Sequence, residues 1–506
     1  MRSTFMGLET AKRGMSTQQS ALYTTGHNIS NANTPGFSRQ RVNFATTTPY
    51  PGVGMNRPQI PGQIGTGVEA GTVQRIREGF LDLQFRTENT KVGYYGTLSE
   101  SLTKMEEIMN EPTESGLHST MEKFWNSLQT LSSHTENSGA RDVVAETGQM
   151  VADTLNYYYN SLDRIRGDLN EEIVQVKQSQ INTLIGDIHD LNDKISQIEP
   201  NGYITNDLYD QRDLLVDNLS KMVNIKVTKV TPNNYGNAKP MAEGLYNIEL
   251  LDKNSNSYNP PIVLVEANKT VGVVGRNTMG VNLDANGGIT SLHFNGQIVT
   301  DIGGELGGFI ESYQVHYPQK LKELNDMTRA FANEFNRIHA LGYGLGDTAP
   351  SGINFFDGVT AGDPNPAQSI KVNQVILDSP NKIAAGQGNG DSGNNLNALE
   401  LANLKTKNFS LYQPAPTLNG SVDTFYSGVI GKLGVLSQSM QKNNLNATIL
   451  ADSVEKNRQS VSAVSLDEEM TNMIKFQHAY NASARNITVV DEMLDKIING
   501  MGVVGR

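Results

Sequence analysis

Residues 465–500, SLDEEMTNMIKFQHAYNASARNITVVDEMLDKIING, have the hydrophobic period of one long amphipathic helix. Apart from Ser483, apolar side chains fill the a and d positions of a single heptad frame. These residues are Met473, Phe476, Tyr480, Ile487, Val490, Leu494, Ile497 and Met501. Such a repeat places one apolar stripe along a helix of roughly 50 Å and predicts packing against other helices. The alternative is an ordinary core helix of a globular domain.

The first turn of this helix carries a capping signal. Ser465 and Glu468 have the spacing of a capping box, in which each side chain satisfies a backbone N–H of the other residue. Asp467, Glu468 and Glu469 lie at the positive end of the helix dipole. Because consecutive residues point in different directions around a helix, we interpret these carboxylates as capping charges and not as an acid–base or metal cluster.

A second, weaker stripe lies near the other end of the sequence. Leu8, Met15, Leu22 and Ile29 recur every seven residues within the proline-free segment 4–30. Three glycines in this segment each cost up to about 1 kcal/mol of helix propensity relative to alanine. We therefore expect the two terminal helices to need partners, to form a coiled coil and to be mobile in a monomer.

A turn ends the first of these helices. Asparagines tolerate left-handed backbone, and the proline disfavours helical geometry in the residue before it. The Pro-Gly pair fits the centre of a type II turn, in which glycine supplies the positive φ. The sequence predicts a helix stop and, further, a fixed joint that sends the chain out of the helical layer. The joint residues are Asn31, Asn33, Thr34, Pro35, Gly36 and Phe37.

Between the two ends, the hydrophobic period divides the chain into helical and strand-like segments. Helical periods cover residues 78–110, 113–135, 140–198, 205–221, 305–341, 395–411 and 421–462. The block 140–198 contains a phase slip between Val176 and Ile181, which changes the local winding. Alternating residues in 223–303 predict an inserted β domain. Strand-like stretches at Ile370–Val372 and Val375–Leu377 indicate a smaller insert.

The predicted fold is mainly α with β inserts. Terminal helices form a coiled coil, long helices form a bundle domain, and one or two β domains are nested within it. The expected bounds are 1–40 plus 465–506 for the terminal coiled-coil domain, 41–222 plus 304–342 plus 394–464 for the helical middle domain, 223–303 for the β domain and 343–393 for a small β or loop insert.

Composition excludes several classes of function. The 506 residues carry a formal net charge of −12 without a basic stripe, which disfavours nucleic-acid binding. The absence of cysteine excludes disulfides, cysteine catalysis and thiolate metal sites. No apolar run approaches the roughly 20 residues of a membrane span, so no membrane association is expected. The first residues do not resemble a secretory signal peptide, which taken alone favours the cytoplasm.

Recognisable catalytic motifs are missing from the sequence. The eight histidines are scattered, and none forms a His-Glu-x-x-His pair. The stretch Gly390-Asp391-Ser392 is one glycine out of register for a nucleophile elbow. No phosphate-binding loop is present. We therefore predict no enzymatic activity, no cofactor and no metal.

The two ends resemble the signatures of bacterial flagellar axial proteins, the family of rod, hook and hook-associated proteins. Residues 28–37 are similar to the N-terminal signature, and residues 465–494 are similar to the C-terminal one. Within this family, the Leu-Asp-Glu-Glu-Met start at 466–470 and the Ala-Ser-Ala-Arg run at 482–485 resemble the members that join hook to filament. Ala463 is a departure, since those members often have glycine there.

The resemblance implies a self-assembling structural adaptor, exported by the flagellar type III apparatus and located in the extracellular flagellum at the hook–filament junction. Its implied partners are copies of itself, the hook protein, a second hook-associated protein and an export chaperone that binds the C-terminal helix. The implied assembly interface combines the two stripes described above. One alternative is a hook or distal-rod protein, which the C-terminal motif disfavours. Another is a secreted adhesin or enzyme with its activity in 223–303 or 343–393.

Overall fold

The computed structural model describes residues 5–55, 58, 61–109, 113–114, 116–360, 362–410, 418 and 420–500. Helices dominate, and antiparallel sheets are inserted between them, so the prediction of a mainly α fold with β inserts is confirmed. The helices are α1 Phe5–Ser30, α2 Gly79–Met109, α3 Leu117–Ser133, α4 Ser138–Glu171, α5 Gln178–Ile198, α6 Asn206–Met222, α7 Gly304–Glu311, α8 Tyr317–Leu341, α9 Pro366–Ser369, α10 Gln374–Asp378, α11 Leu396–Asn403, α12 Val422–Ser462 and α13 Leu466–Gly500. No helix among the described residues is both long enough and apolar enough to cross a bilayer.

The strands form four small antiparallel sheets. They are β1 Gln40–Thr46, β2 Val68–Arg75, β3 Ile225–Val230, β4 Leu245–Leu251, β5 Ser257–Asn268, β6 Gly272–Arg276, β7 Met279–Leu283, β8 Ile289–Phe294, β9 Gln297–Val299, β10 Phe356–Asp357 and β11 Lys371–Val372. Strand order is β1-β2, β3-β4-β5-β6, β7-β8-β9 and β10-β11. The hairpin β1-β2 leads out of the turn that follows α1.

The longest helical block is interrupted by a π-helical segment, Glu172–Lys177, which separates α4 from α5. A π turn is wider than an α turn and rotates the apolar face of all residues after it. This is the physical origin of the phase slip between Val176 and Ile181. A second π segment, Ser312–His316, separates α7 from α8 within the stretch predicted as one continuous helix.

Of the seven strands that follow α6, β4, β5, β6 and β7 pack against α5. The Asn192 side chain on α5 donates to the Tyr246 carbonyl at 2.8 Å and accepts from the Tyr246 N–H at 3.1 Å, as another strand would. Tyr246, Leu264 and Phe294 belong to the same buried cluster as the apolar side chains of the helices. The sheets and helices therefore share one continuous core.

Five buried phenylalanines form the centre of the helical region, with ring centroids 4.8–6.3 Å apart. They are Phe124 on α3, Phe331 and Phe335 on α8, and Phe355 and Phe356 beyond α8. Trp125 packs edge-on against Phe331 at 5.7 Å. Residues distant in sequence thus meet in one aromatic core.

The described part of 343–393 holds short elements fastened to the end of α8. His339 is fully buried, with Nδ1 2.8 Å from the Ile353 carbonyl, and its Nε2 accepts from the Ala384 N–H at 3.1 Å. The strand expected at Val375–Leu377 is wrong, because these residues lie in α10. The Asn373 side chain accepts from the Val375 N–H at 2.9 Å and starts that helix.

Candidate assembly interface

The first and last helices lie side by side in antiparallel orientation. Gly7 of α1 faces Val490 and Gly14 faces Ser483. Moving seven residues forward along α1 therefore moves the facing residue seven positions back along α13. A Cβ added to Gly7 would lie 3.5 Å from Val490, and one added to Gly14 would lie 3.1 Å from the Ser483 hydroxyl. The two glycines therefore let the helices approach closely.

The face of α1 closest to α13 carries small residues. Besides the two glycines, it includes Ala21, which is 1% exposed. The predicted heptad residues Leu8, Met15, Leu22 and Ile29 lie one position further around the helix and remain partly exposed. The seven-residue period seen in the sequence is therefore shared by the glycines Gly7 and Gly14, which lie nearest to α13.

On α13, the predicted stripe lies on the side that faces α1. Six of its members are partly buried, while Ile497 is 44% exposed. The partly buried members are Met473, Phe476, Tyr480, Ile487, Val490 and Leu494. Phe476 also meets Phe44 of β1, with ring centroids 5.9 Å apart. Met501 lies outside the described residues.

The turn after α1 has the geometry expected of the Pro-Gly pair. Gly36 has φ of +78°, and the Phe37 N–H donates to the Thr34 carbonyl at 3.2 Å. A Cβ on Gly36 would lie 3.1 Å from Leu214 on α6, so both the backbone angle and the space favour glycine here. The other joint residues lie at the helix end, where the Asn31 side chain accepts from the Thr34 hydroxyl at 3.1 Å. Asn33 and Pro35 are exposed.

A buried set of polar contacts follows this turn, which we call the terminal joint: Asn28, Ser38, Arg39, Gln40 and Glu469. The Asn28 side chain accepts from the Gln40 N–H at 3.0 Å and donates to the Gln40 carbonyl at 2.8 Å. The same amide donates to the Glu469 carboxylate at 3.1 Å. The Arg39 Nε donates to Glu469 at 2.8 Å. One buried carboxylate thus ties both terminal helices to the start of β1.

The terminal joint also reaches the helical region. The Ser38 N–H donates to the Asp210 carboxylate on α6 at 3.0 Å, and the Arg39 N–H donates to the Ser462 carbonyl at the end of α12 at 2.8 Å. Three consecutive residues, 38–40, therefore contact α1, α6, α12 and α13. The orientation of the terminal helices relative to the other helices is set here.

Two of the carboxylates predicted to cap α13, Glu468 and Glu469, pair with Arg39 outside that helix. Glu468, expected to return to the backbone N–H of Ser465, instead pairs with the Arg39 guanidinium at 2.5 Å. Glu469 is 2% exposed and completes the terminal joint. Sequence reasoning missed Asn28 and Glu469 because the partners of both lie outside their own helices.

Next to the terminal joint lies an arginine–aspartate cluster that sequence reasoning also missed. Asp210, Asp213 and Asp217 share one face of α6, and four arginines from other elements surround them. Arg75 contacts Asp210 at 2.7 Å and Asp213 at 2.9 Å. The remaining arginines are Arg77, Arg86 and Arg458. The spacing of three and four residues between the aspartates could have revealed the cluster. It places three like charges on one helix face, and such a face can be buried only if cations pair with it.

The cluster shifts the pKa values of its carboxyl groups. Burial alone would raise the pKa of Asp213, but the guanidiniums of Arg77, Arg75 and Arg86 outweigh burial and hold that pKa well below its usual range. For Asp210, burial outweighs the attraction of Arg75, and the pKa is raised. The cluster is thus a set of ion pairs that depends on an ionised Asp213. It joins β2, α2, α6 and α12.

One group among the described residues has metal-ligand geometry. Ligand atoms of His118, Glu122 and Asp423 lie within 4.8 Å of one another. The Lys405 ammonium is already 2.7 Å from Glu122, and His118 and Asp423 stand in the first turns of α3 and α12, where helix dipoles disfavour cations. We therefore interpret the group as a set of polar contacts, including His118 Nδ1 at 2.8 Å from Asp423, that fastens α3 to α12.

The fold and the joined terminal helices define a flagellar axial protein. Family models of the flagella basal body rod protein and of the C-terminal region of the flagellar basal body rod FlgEFG proteins match residues 8–37 and 456–500. The model of the helical domain of flagellar hook-associated protein FlgK matches residues 102–356. The chain belongs to the flagellar hook-associated protein 1 family.

Curated relatives match along nearly the whole chain. Flagellar hook-associated protein 1 of Bacillus subtilis strain 168 is 43% identical over 527 aligned residues, which cover 100% of both chains. The proteins of the same name from Salmonella typhimurium and Escherichia coli K12 are 24% and 23% identical, covering 97% of this chain and 98% and 99% of theirs. The solved flagellar hook junction protein FlgK of Burkholderia pseudomallei superposes with a TM-score of 0.57 at 14% identity, covering 75% of this chain and 100% of that one.

Proposed function

We propose that this chain is a self-assembling structural adaptor that joins hook to filament in the extracellular flagellum. The observation that carries the proposal is the incomplete burial of the paired terminal helices. Among the described residues of α13, Glu469 alone is buried. A helix of this length that leaves its apolar stripe partly exposed needs further surfaces to cover it.

Large apolar side chains elsewhere on the same pair support this role. Met470, Ile474, Met493 and Ile498 are each more than half exposed on α13. Exposed apolar area of this extent on adjoining helices is typical of surfaces that are covered on assembly. Neighbouring copies of the chain, the hook protein and a second hook-associated protein would cover it in the flagellum.

We also propose the division into domains that the sequence indicates. Residues 1–40 and 465–506 form the terminal coiled-coil domain, and 41–222, 304–342 and 394–464 form the helical middle domain. Residues 223–303 form a nested β domain, and 343–393 form a smaller insert. The antiparallel contact of α1 with α13 supports the first of these. The shared core of helices and sheets indicates that the β domain is firmly joined to α5.

The role is structural and not catalytic, in keeping with relatives named as hook-associated proteins. Export through the flagellar type III apparatus, and binding of an export chaperone to α13 beforehand, belong to the same proposal. An exposed amphipathic helix lying in a groove is the physical form that chaperone binding would take. A truncation that ends before Ser465 should lose chaperone binding. A truncated chain that still bound the chaperone would refute that part.

Gene deletion tests the main proposal. We expect cells with hooks of normal length, no filaments, and flagellin lost to the medium. Plasmid-borne wild-type chain should restore filaments. Missing hooks would place the protein in the rod or hook instead, and intact filaments would contradict a role in the flagellum.

A further inference from the structure

Helices α1 and α13 and strand β1 enclose a pocket beside the terminal joint. Its walls include the apolar side chains of Val42, Phe44 and Phe476. Its charged lining consists of Arg41 and Lys475 together with the paired Arg39 and Glu469 of the terminal joint. A pocket that combines an apolar wall with unpaired cations fits an acidic side chain on a helix face that also carries an apolar residue.

Two of the three cations that line the pocket, Arg41 and Lys475, differ from the third, Arg39. Arg39 is occupied by Glu468 and Glu469. Arg41 and Lys475 are exposed, and neither forms an ion pair within the described part of the chain. In a chain with net charge −12, two unpaired cations side by side attract a carboxylate from elsewhere.

A matching acidic face lies near the other end of α13. Asp491, Glu492 and Asp495 are exposed, and across the described ranges none of them takes part in an ion pair. Ile498, one turn beyond, is 69% exposed. The spacing of three and four residues puts the acids and the isoleucine on neighbouring positions of one helix surface.

The pocket and the acidic face lie on opposite sides of α13. With 3.6 residues per turn, Asp491 and Asp495 are rotated about the helix axis by about 160° and about 200° relative to Lys475. Along that axis they lie roughly 25–30 Å from Lys475. Both sides flank the face that contacts α1, so both remain accessible in the helix pair. Complementary patches on opposite sides of one element cannot meet within a single copy.

We propose that copies of this chain associate head to tail, with the acidic face of α13 from one copy docked in the Arg41–Lys475 pocket of the next. A contact between two different patches is heterologous, and it builds a ring or a helical array instead of a closed pair. The inference rests on the proposed function, because it names the charged contact through which the adaptor would assemble with itself.

Cross-linking in assembled flagella tests the contact. The chain has no cysteine, so the double variant K475C/D491C introduces the only thiols. It would replace the wild-type gene, hooks would be sheared from the cells, and a short bismaleimide would be applied. We expect a ladder of dimers, trimers and larger products. The single variants K475C and D491C, and the control pair K442C/D491C with its lysine replaced on α12, should remain monomeric.

Charge reversal gives a second readout. K475E and D491K should each reduce the number of filaments per cell at least tenfold, and the double variant K475E/D491K should restore most of them, since the pair is re-formed with opposite signs. The matched reversals K442E and D452K, on the exposed surface of α12, should leave filament number unchanged.

The outcomes separate the inference from the proposed function. If the chain is present in the sheared hooks but runs as a monomer, the head-to-tail contact is wrong while the adaptor role stands. A dimer formed by K475C alone would indicate a symmetrical contact and also overturn the inference. If the wild-type chain is absent from the hook fraction, the proposed function fails and the inference fails with it.

Discussion

The side-chain amide of Asn28 donates a hydrogen bond to the Glu469 carboxylate at 3.1 Å, although 441 residues separate them in sequence. Both side chains are nearly inaccessible, at 1% and 2% exposure. Since Asn28 also pairs with both backbone groups of Gln40, this contact links the end of α1, the start of α13 and the strand that leaves the turn. The chain is closed through these buried polar atoms in addition to the packing of α1 on α13.

Glu469 should therefore contribute far more than its neighbour Glu468 to the docking of the terminal helices. We expect E469A to destabilise the docking of the terminal helices by about 3 kcal/mol, because Arg39 and Asn28 lose a buried partner. E468A removes a carboxylate that is 62% exposed and should cost less than about 1 kcal/mol. Hydrogen exchange of the α1 and α13 amides measures both. Equal effects in the two variants would contradict the burial argument.

Two glycines on α2 should respond oppositely to alanine. A Cβ at Gly93 would lie 2.2 Å from the Lys221 carbonyl oxygen on α6, so G93A should separate the helices and cost about 2–3 kcal/mol. At Gly96, the nearest atom is the Asn444 side-chain oxygen at 3.5 Å, and G96A should be neutral or stabilise the helix by about 0.5–1 kcal/mol. Urea unfolding followed by circular dichroism compares the two. A harmless G93A would mean that α2 and α6 can separate without loss.

The buried His339 should make the region around α8 sensitive to acid. Burial lowers the pKa of His339 to about 4, although the Ile353 carbonyl opposes this, against 6.5 for a free histidine. Between these values the unfolded chain binds the proton and the folded chain does not. The contribution of neutral His339 to the free energy of unfolding is therefore fully present above pH 6.5. About 3 kcal/mol of that free energy is lost as the pH falls to about 4.

Urea unfolding at several pH values, followed by the fluorescence of Trp125, would show this dependence. Trp125 is the single tryptophan and packs on α8 against Phe331, so its emission reports on this region. H339Q should flatten the profile between pH 6.5 and 4. The exposed His134 provides the control, and H134Q should keep the wild-type slope. An unchanged slope in H339Q would show that another group titrates.

Among the acidic residues of α6, Asp213 should be the one whose substitution destabilises the fold most. The variant D213N leaves Arg75, Arg77 and Arg86 with one fewer buried counter-charge, and we expect a loss of about 3–5 kcal/mol. On the same helix, D207N changes a carboxylate that is 62% exposed and should cost less than about 1 kcal/mol. Thermal unfolding of the full chain compares them. Comparable melting temperatures would mean that the arginines find other partners.

Much of the secondary structure could be read from local pattern. The bounds of α1, α2, α6 and α12 follow the predicted helices closely, because a 3.6-residue period and turn residues act within a few neighbours. The strand-rich range 223–303 was predicted, and β3–β9 lie within it. The segment Val375–Leu377 was predicted as a strand but is helical, since its helix depends on a capping contact by Asn373 that outweighs β propensity in so short a stretch.

The sequence by itself determined the helical and strand periods, the turn at Pro35 and Gly36, and the family through its terminal signatures. The tertiary structure alone decided which face of α1 meets α13, because close approach of two helices depends on both surfaces and favours the small residues. It also decided the partners of Asn28, Glu469 and Asp213. A buried charge or amide is stable only with partners that come from distant parts of the chain, and no local pattern names them.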